Sequence, residues 1–104
     1  MPLPLIDKKE EIRKAAQVFR ALDHPLRERI LKLLEEKQQA RVTEIYVDLG
    51  LEQSVASAHL KILREAKIVE TERKGQEILY KPNYNNLSKL ERIVSEIVTE
   101  VVCD

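Results

Sequence analysis

The stretch "LGLEQSVASAHLKILREAKIVETERKGQEILYK", Leu49 to Lys81, constrains the fold more tightly than any other part of the chain. Gly50 tolerates the left-handed backbone of a tight turn, so it can end one helix and allow another to begin at once. From about Glu52 to Ala66, apolar residues return at helical spacing. After them, "KIVETER" and "QEILYK" each alternate partly in strand fashion. Lys74-Gly75 between them reads as a hairpin turn.

The remaining segments fill in the order. From about Asp7 to Leu22, the residues Ile12, Ala15, Ala16, Phe19 and Leu22 recur at helical spacing. "DHPLRERILKLLEEKQ" starts a second helix: Pro25 suits its first turn, and His24 or Asp23 is its cap. Leu26, Ile30, Leu33 and Leu34 form its apolar stripe. Thr43 is placed to cap a short third helix carrying Ile45, Tyr46 and Leu49. Near the end, "NNLSKLERIVSEIVTEVV" sets Leu87, Leu90, Ile93 or Val94, Ile97 and Val101 on one stripe. That stripe is long for a terminal helix on so small a domain, and it implies a partner helix from a second copy of the chain. The predicted fold is therefore mainly α with a small β-hairpin, in the order α-α-α-α-β-β-α. This is a winged helix-turn-helix: residues 43–66 are the helix-turn-helix, 67–81 the wing, and 7–22 and 86–102 the dimerisation helices.

At 104 residues the chain is one domain with one core. It is 43% hydrophobic and 35% charged, a globular composition, and its apolar runs are too short to span a membrane. "MPLPLIDKKEEIRK" places charges where a signal peptide needs an apolar stretch, so a cytoplasmic location is expected. Cys103 is the single cysteine and cannot form an internal disulfide, and with two histidines the chain has a poor metal-ligand inventory. Net charge is zero. That weighs mildly against a nucleic-acid partner, but the charge is unevenly spread. Residues 25–41 carry +2 and residues 52–74 carry +1, whereas 42–51 and 75–104 carry −2 each.

On the fourth helix, stepped at about 100° per residue, Val55, Ala56, Leu63 and Ala66 share one side, with Leu60 and Ile62 at its margins. Ser54, Ser57 and Lys61 fall opposite, flanked by Ala58 and Arg64. Short hydroxyls beside a cation suit a helix pressed into a major groove, and Ala58 lets the backbone come close. Lys61 and Arg64 are placed to neutralise phosphates. His59 falls inside the apolar arc, where packing or hydrogen bonding is its expected role. Arg73 and Lys74 stand at the wing tip, where cations can follow a nucleic-acid backbone or minor groove. Glu70 and Glu72 dilute that basic character. Taken without context, the same polar residues describe an ordinary solvated helix face; the turn before them and the hairpin after them favour the DNA reading.

These residues resemble the ArsR/SmtB family of bacterial winged-helix repressors. "ALDHPLRERILKLL" is similar to the family's opening pattern, "LGLEQSVASAHLKILREAKIV" to its recognition segment, and "RKGQEILY" to its wing. The resemblance covers roughly residues 10–102. It implies a homodimer joined by the first and last helices, through residues such as Ile12, Phe19, Leu90, Ile93, Ile97 and Val101, that binds an inverted-repeat operator in double-stranded DNA. It also carries Gln53, Ser54, Ser57 and His59 over as recognition residues. Three positions depart from the family pattern: Glu52 stands for a serine cap, Ala58 for a histidine or arginine, and Lys67 for a glycine. Where many members sense thiophilic metals through paired cysteines in the third helix, this chain reads "EIYVDLG". Tyr46 and Asp48 offer no soft ligand there. Other members hold zinc between their last helices with histidines, which the last helix here lacks. Glu96 and Glu100, four apart, read as a solvated face.

The expected function is thus a DNA-binding regulator that acts as a repressor by covering its operator, with no metal, no cofactor and no identified effector. The alternative is a winged-helix module whose recognition helix or wing binds protein. No nucleophile–base pair or phosphate loop is present, so an enzyme is not expected. Cys103 next to Asp104 reads as a tail cysteine rather than a redox sensor, because a neighbouring carboxylate disfavours the thiolate.

Overall fold

The computed structural model describes residues 9–102, with side chains through Glu96. The expected start at Asp7, the side chains of Ile97, Glu100 and Val101, and the tail residues Cys103 and Asp104 lie outside the described part. Five helices and three strands follow in the order α1 (Lys9–Leu22), α2 (Pro25–Lys37), β1 (Ala40–Arg41), α3 (Val42–Leu49), α4 (Gln53–Glu65), β2 (Val69–Lys74), β3 (Glu77–Pro82) and α5 (Tyr84–Val102).

Local chemistry sets the boundaries. Glu10 and Glu11 begin α1 and Arg20 ends it, each matching the helix dipole. His24 caps α2 from an extended backbone, its Nδ1 accepting the Leu26 N–H at 3.1 Å, with Pro25 following. Thr43 does not cap α3; it lies within the helix. The cap is Arg41, whose backbone N–H and Nε both donate to the Glu44 carboxylate at 3.1 Å. The Glu44 carboxylate, three residues on, takes both donors at once. Gly50 ends α3 at φ 66°, as its freedom from a Cβ allows. Lys67, in the place of the family glycine, is also left-handed at φ 61°, a conformation that costs a side chain about 1 kcal/mol.

The wing differs from expectation by one residue. Lys74 pairs with Glu77 as the last rung of the β2–β3 ladder, so the turn is Gly75-Gln76. The two-residue loop needs a positive φ, which Gly75 supplies at 64°. β1 was not foreseen. It pairs Ala40 with Tyr80 and Arg41 with Leu79, giving a three-stranded antiparallel sheet in the order β1-β3-β2. Two residues are too short to show alternation, so only the tertiary pairing reveals this strand. α5 begins at Tyr84 rather than 86, because the Asn83 side chain accepts the Asn86 N–H at 3.2 Å.

Ile30, Leu34, Ile45, Leu60, Leu63, Ile68 and Val69 are sealed from solvent at the centre. Leu60 is therefore a core residue rather than a marginal one, while Ile62 is exposed. α4 packs against α1, α2, α3 and β2, which holds three of its sides and leaves one outward. No helix among the described residues is long and apolar enough to cross a membrane.

Candidate nucleic-acid interface

The outward side of α4 is the one left by that packing. Ala56, Leu60 and Leu63 face the core, and Gln53, Ser54, Ser57, Ala58, Lys61 and Arg64 are all exposed. Glu52 caps the helix through its backbone only, and its carboxylate makes no capping bond. Lys61 reaches Glu65 at 4.0 Å, both well exposed, a pair of little energetic weight. The helix thus presents two serines, an amide and two cations on one solvent-facing strip. Such a strip can enter a groove without losing any core contact.

The wing stands beside it. Cross-strand partners share a sheet face, so Arg73 lies with Ile78, and Lys74 with Glu77. Arg73 and Lys74 are exposed, and Arg73 Nε donates to the Gly75 carbonyl at 3.2 Å, fixing the guanidinium at the tip. Of the two acidic residues that dilute the wing, Glu72 is engaged by the neighbouring strand, and so is Glu77 beside the turn. Glu72 accepts from Lys81 at 2.9 Å, and Glu77 accepts from Arg41 at 2.9 Å. The Lys81 hydrogen bond holds the Glu72 carboxyl below its ordinary range and raises the lysine in return. On α3, Asp48 and Glu44 face Lys37 at 2.7 and 3.6 Å. The local excess of negative charge read from residues 42–51 is thereby countered across the fold.

His59 does not join the exposed strip. It is half-buried at the junction of α4 with the start of α2, with its ring centroid 4.5 Å from that of His24. Arg27 Nη1 lies 3.3 Å from His59 Nδ1. The same guanidinium donates to the Ala21 and Arg20 carbonyls that end α1. Arg29 donates from α2 to the Leu49 carbonyl at 3.2 Å, just before the Gly50 turn. These two arginines tie α2 to both halves of the helix-turn-helix. Periodicity gives no sign of them, since their partners lie 20 and 32 residues away.

A second surface lies between α1 and α5. Ala15, Val18, Phe19, Leu22, Leu87, Leu90, Glu91 and Val94 line an apolar groove of about 280 Å³. Phe19 is 56% exposed beside it. Ile12 and Ile93 are half-buried, whereas Leu90, expected at the dimer contact, is only 8% exposed and belongs to the chain's own core.

The family model for bacterial regulatory proteins of the arsR family matches residues 24–71, the span from the α2 cap into β2. A Mycobacterium tuberculosis protein named an uncharacterized HTH-type transcriptional regulator is 33% identical over 89 residues, covering 86% of this chain and 78% of that protein. The chain belongs to the ArsR family of transcriptional regulators. Two further likenesses cover most of the chain. The transcriptional repressor PagR of Bacillus anthracis is 30% identical over 82 residues, 79% of this chain and 82% of PagR. The solution structure of a homodimeric winged helix-turn-helix DNA-binding domain from Mycobacterium bovis superposes with a TM-score of 0.71 at 28% identity, covering 89% of this chain and 85% of that one. Among ArsR proteins, then, this chain has a winged helix-turn-helix with an exposed polar strip on α4.

Proposed function

We propose that this ArsR-family chain is a cytoplasmic homodimeric repressor that binds an inverted-repeat operator. The observation that carries the reading is the exposed strip Gln53, Ser54, Ser57, Lys61 and Arg64, backed by a sealed core face on the same helix. Each α4 enters a major groove, with the two recognition helices about one helical turn apart. Gln53, Ser54 and Ser57 meet base edges or phosphates, and Lys61, Arg64, Arg73 and Lys74 meet the backbone. The apolar groove between α1 and α5, with Phe19 at its edge, closes on its two-fold mate, as the likeness to a homodimeric domain supports. The likeness to PagR supports repression by occupying the operator. Metal release of the third-helix type has no chemical basis here, because Tyr46 and Asp48 replace thiolates and Asp48 is held by Lys37.

The test is fluorescence anisotropy of the purified chain on the DNA upstream of its own gene, beside scrambled DNA, with Ser57→Glu as the variant. Tight binding that prefers the native sequence, weakens with salt and is lost in the variant is the expected result. Binding equal on both DNAs and indifferent to Ser57 would assign the helix-turn-helix to a protein partner instead.

A further inference from the structure

The cluster where α1, α2 and α4 meet has a property that the DNA-binding reading does not use. Both of the chain's histidines are in it. His24 Nδ1 accepts the Leu26 N–H, so that nitrogen carries no proton. A guanidinium only donates, so in its contact with Arg27 Nη1 the His59 Nδ1 is also an acceptor. Each imidazole therefore holds its place through an unprotonated nitrogen. Adding a proton to either removes a hydrogen bond: the cap of α2 in one case, the tie between α2 and the recognition helix in the other. In the second case it also sets a cation against the Arg27 guanidinium and beside the neighbouring ring, 4.5 Å away.

We propose that the His24–His59–Arg27 cluster is a proton-sensitive clamp on the recognition helix, whose protonation loosens α4 and releases the chain from DNA. This rests on the DNA-binding reading above. His59 sits two residues from Ser57 and two from Lys61, so a displacement of its backbone moves the strip that meets the groove. His24 and Arg27 face His59 from the start of α2. Arg20 of α1 and Glu65 of α4 line a cleft with Arg27, and the charges that act on the imidazole itself are those of His24 and Arg27. Burial first, then these two neighbours, push the His59 imidazole below the ordinary histidine range. The sign follows: the loosened state takes up the proton more readily than the clamped one. The clamp is complete above the ordinary histidine pKa of about 6.5 and is lost as pH falls from there through the lowered value of the clamped imidazole.

Two features make this readable. Between about pH 7.5 and about pH 5.5 the side-chain type whose ordinary range is crossed is histidine, and the chain has no third one. And general electrostatics predicts the opposite trend, because a more positive protein binds DNA more tightly. The experiment is anisotropy on the upstream DNA across that interval, paired with thermal unfolding, for the wild type and for a His24→Asn, His59→Gln double variant. One proton per chain is two per dimer, which can weaken binding by up to about a hundredfold per pH unit, and a rise in Kd of at least about threefold over the interval is expected. The double variant is expected to show a flat profile. A flat or falling Kd in the wild type on acidification overturns the clamp, as does a rise that persists in the double variant. If the double variant does not fold, His59→Gln alone must show a shallower slope than wild type, and an equal slope overturns the proposal. Failure to bind DNA at about pH 7.5 would instead sink the functional reading. The loosening of α4, without its consequence for DNA, then stands if the wild-type Tm falls on acidification and the variant's does not, and falls otherwise.

Discussion

Replacing Lys61 with glutamine separates phosphate contact from fold more cleanly than any other single change. The Lys61 side chain is 70% exposed, and its Glu65 partner, at 4.0 Å, is nearly as open. Losing such a pair, with helix propensity kept, changes stability by no more than about 0.5 kcal/mol. The thermal midpoint should therefore stay within about 4 °C of wild type, the most that such a loss produces in a domain of this size. DNA binding should respond differently. Each phosphate contact contributes a slope of about 0.9 to the dependence of log affinity on log salt. A dimer presents Lys61 twice, so the slope should fall by about 1.8. From about 50 to about 200 mM salt, that corresponds to a change of about 12-fold in the affinity ratio of wild type to variant. The assay is anisotropy titration at several salt concentrations, with Lys89→Gln as a control, since Lys89 is exposed on α5. A slope equal to that of wild type would place Lys61 away from phosphate and refute the docking of α4. So would an equal loss of slope in the Lys89 control.

Other outcomes follow from particular residues. Phe19→Glu puts a charge on the exposed edge of the α1–α5 groove; with about 1.5 kcal/mol or more lost per phenylalanine, dimer dissociation should strengthen by at least about 100-fold, and sedimentation should find a folded monomer. Gly50→Ala should cost about 1 kcal/mol, because φ is 66° and the space around the new Cβ is otherwise open. Lys67→Gly, at φ 61°, should gain a few tenths of a kcal/mol, so paired thermal melts moving in opposite directions check one cause at two sites. Glu44 is held below its ordinary range first by the Arg41 backbone N–H and then by the Arg41 side chain. Its contribution to stability is present above the unfolded carboxyl value of about 4.3 and is lost as pH falls below it. Glu44→Gln should therefore flatten part of the acid limb of a Tm-against-pH curve.

Much of this was legible in one dimension because it depends on near neighbours. The order of helices, the Gly50 turn, the cap at His24 and the polar strip of α4 all arise within a few residues, where backbone preference and 3.6-residue periodicity act directly. Even the departures were informative: the family glycine replaced by Lys67 marked a left-handed position that the structure occupies. The sequence by itself thus determined the winged helix-turn-helix and which face of α4 turns outward. It could not show β1, whose two residues become a strand only by pairing with β3. Nor could it show that Leu90 is spent on the chain's own core, that Glu72 is neutralised by Lys81, or that the partners of His59 are Arg27 and His24. Those outcomes depend on groups brought together from distant parts of the chain, and hydrogen bonds and charges act over a few ångströms of space whatever their separation in sequence. Only the tertiary structure could decide them.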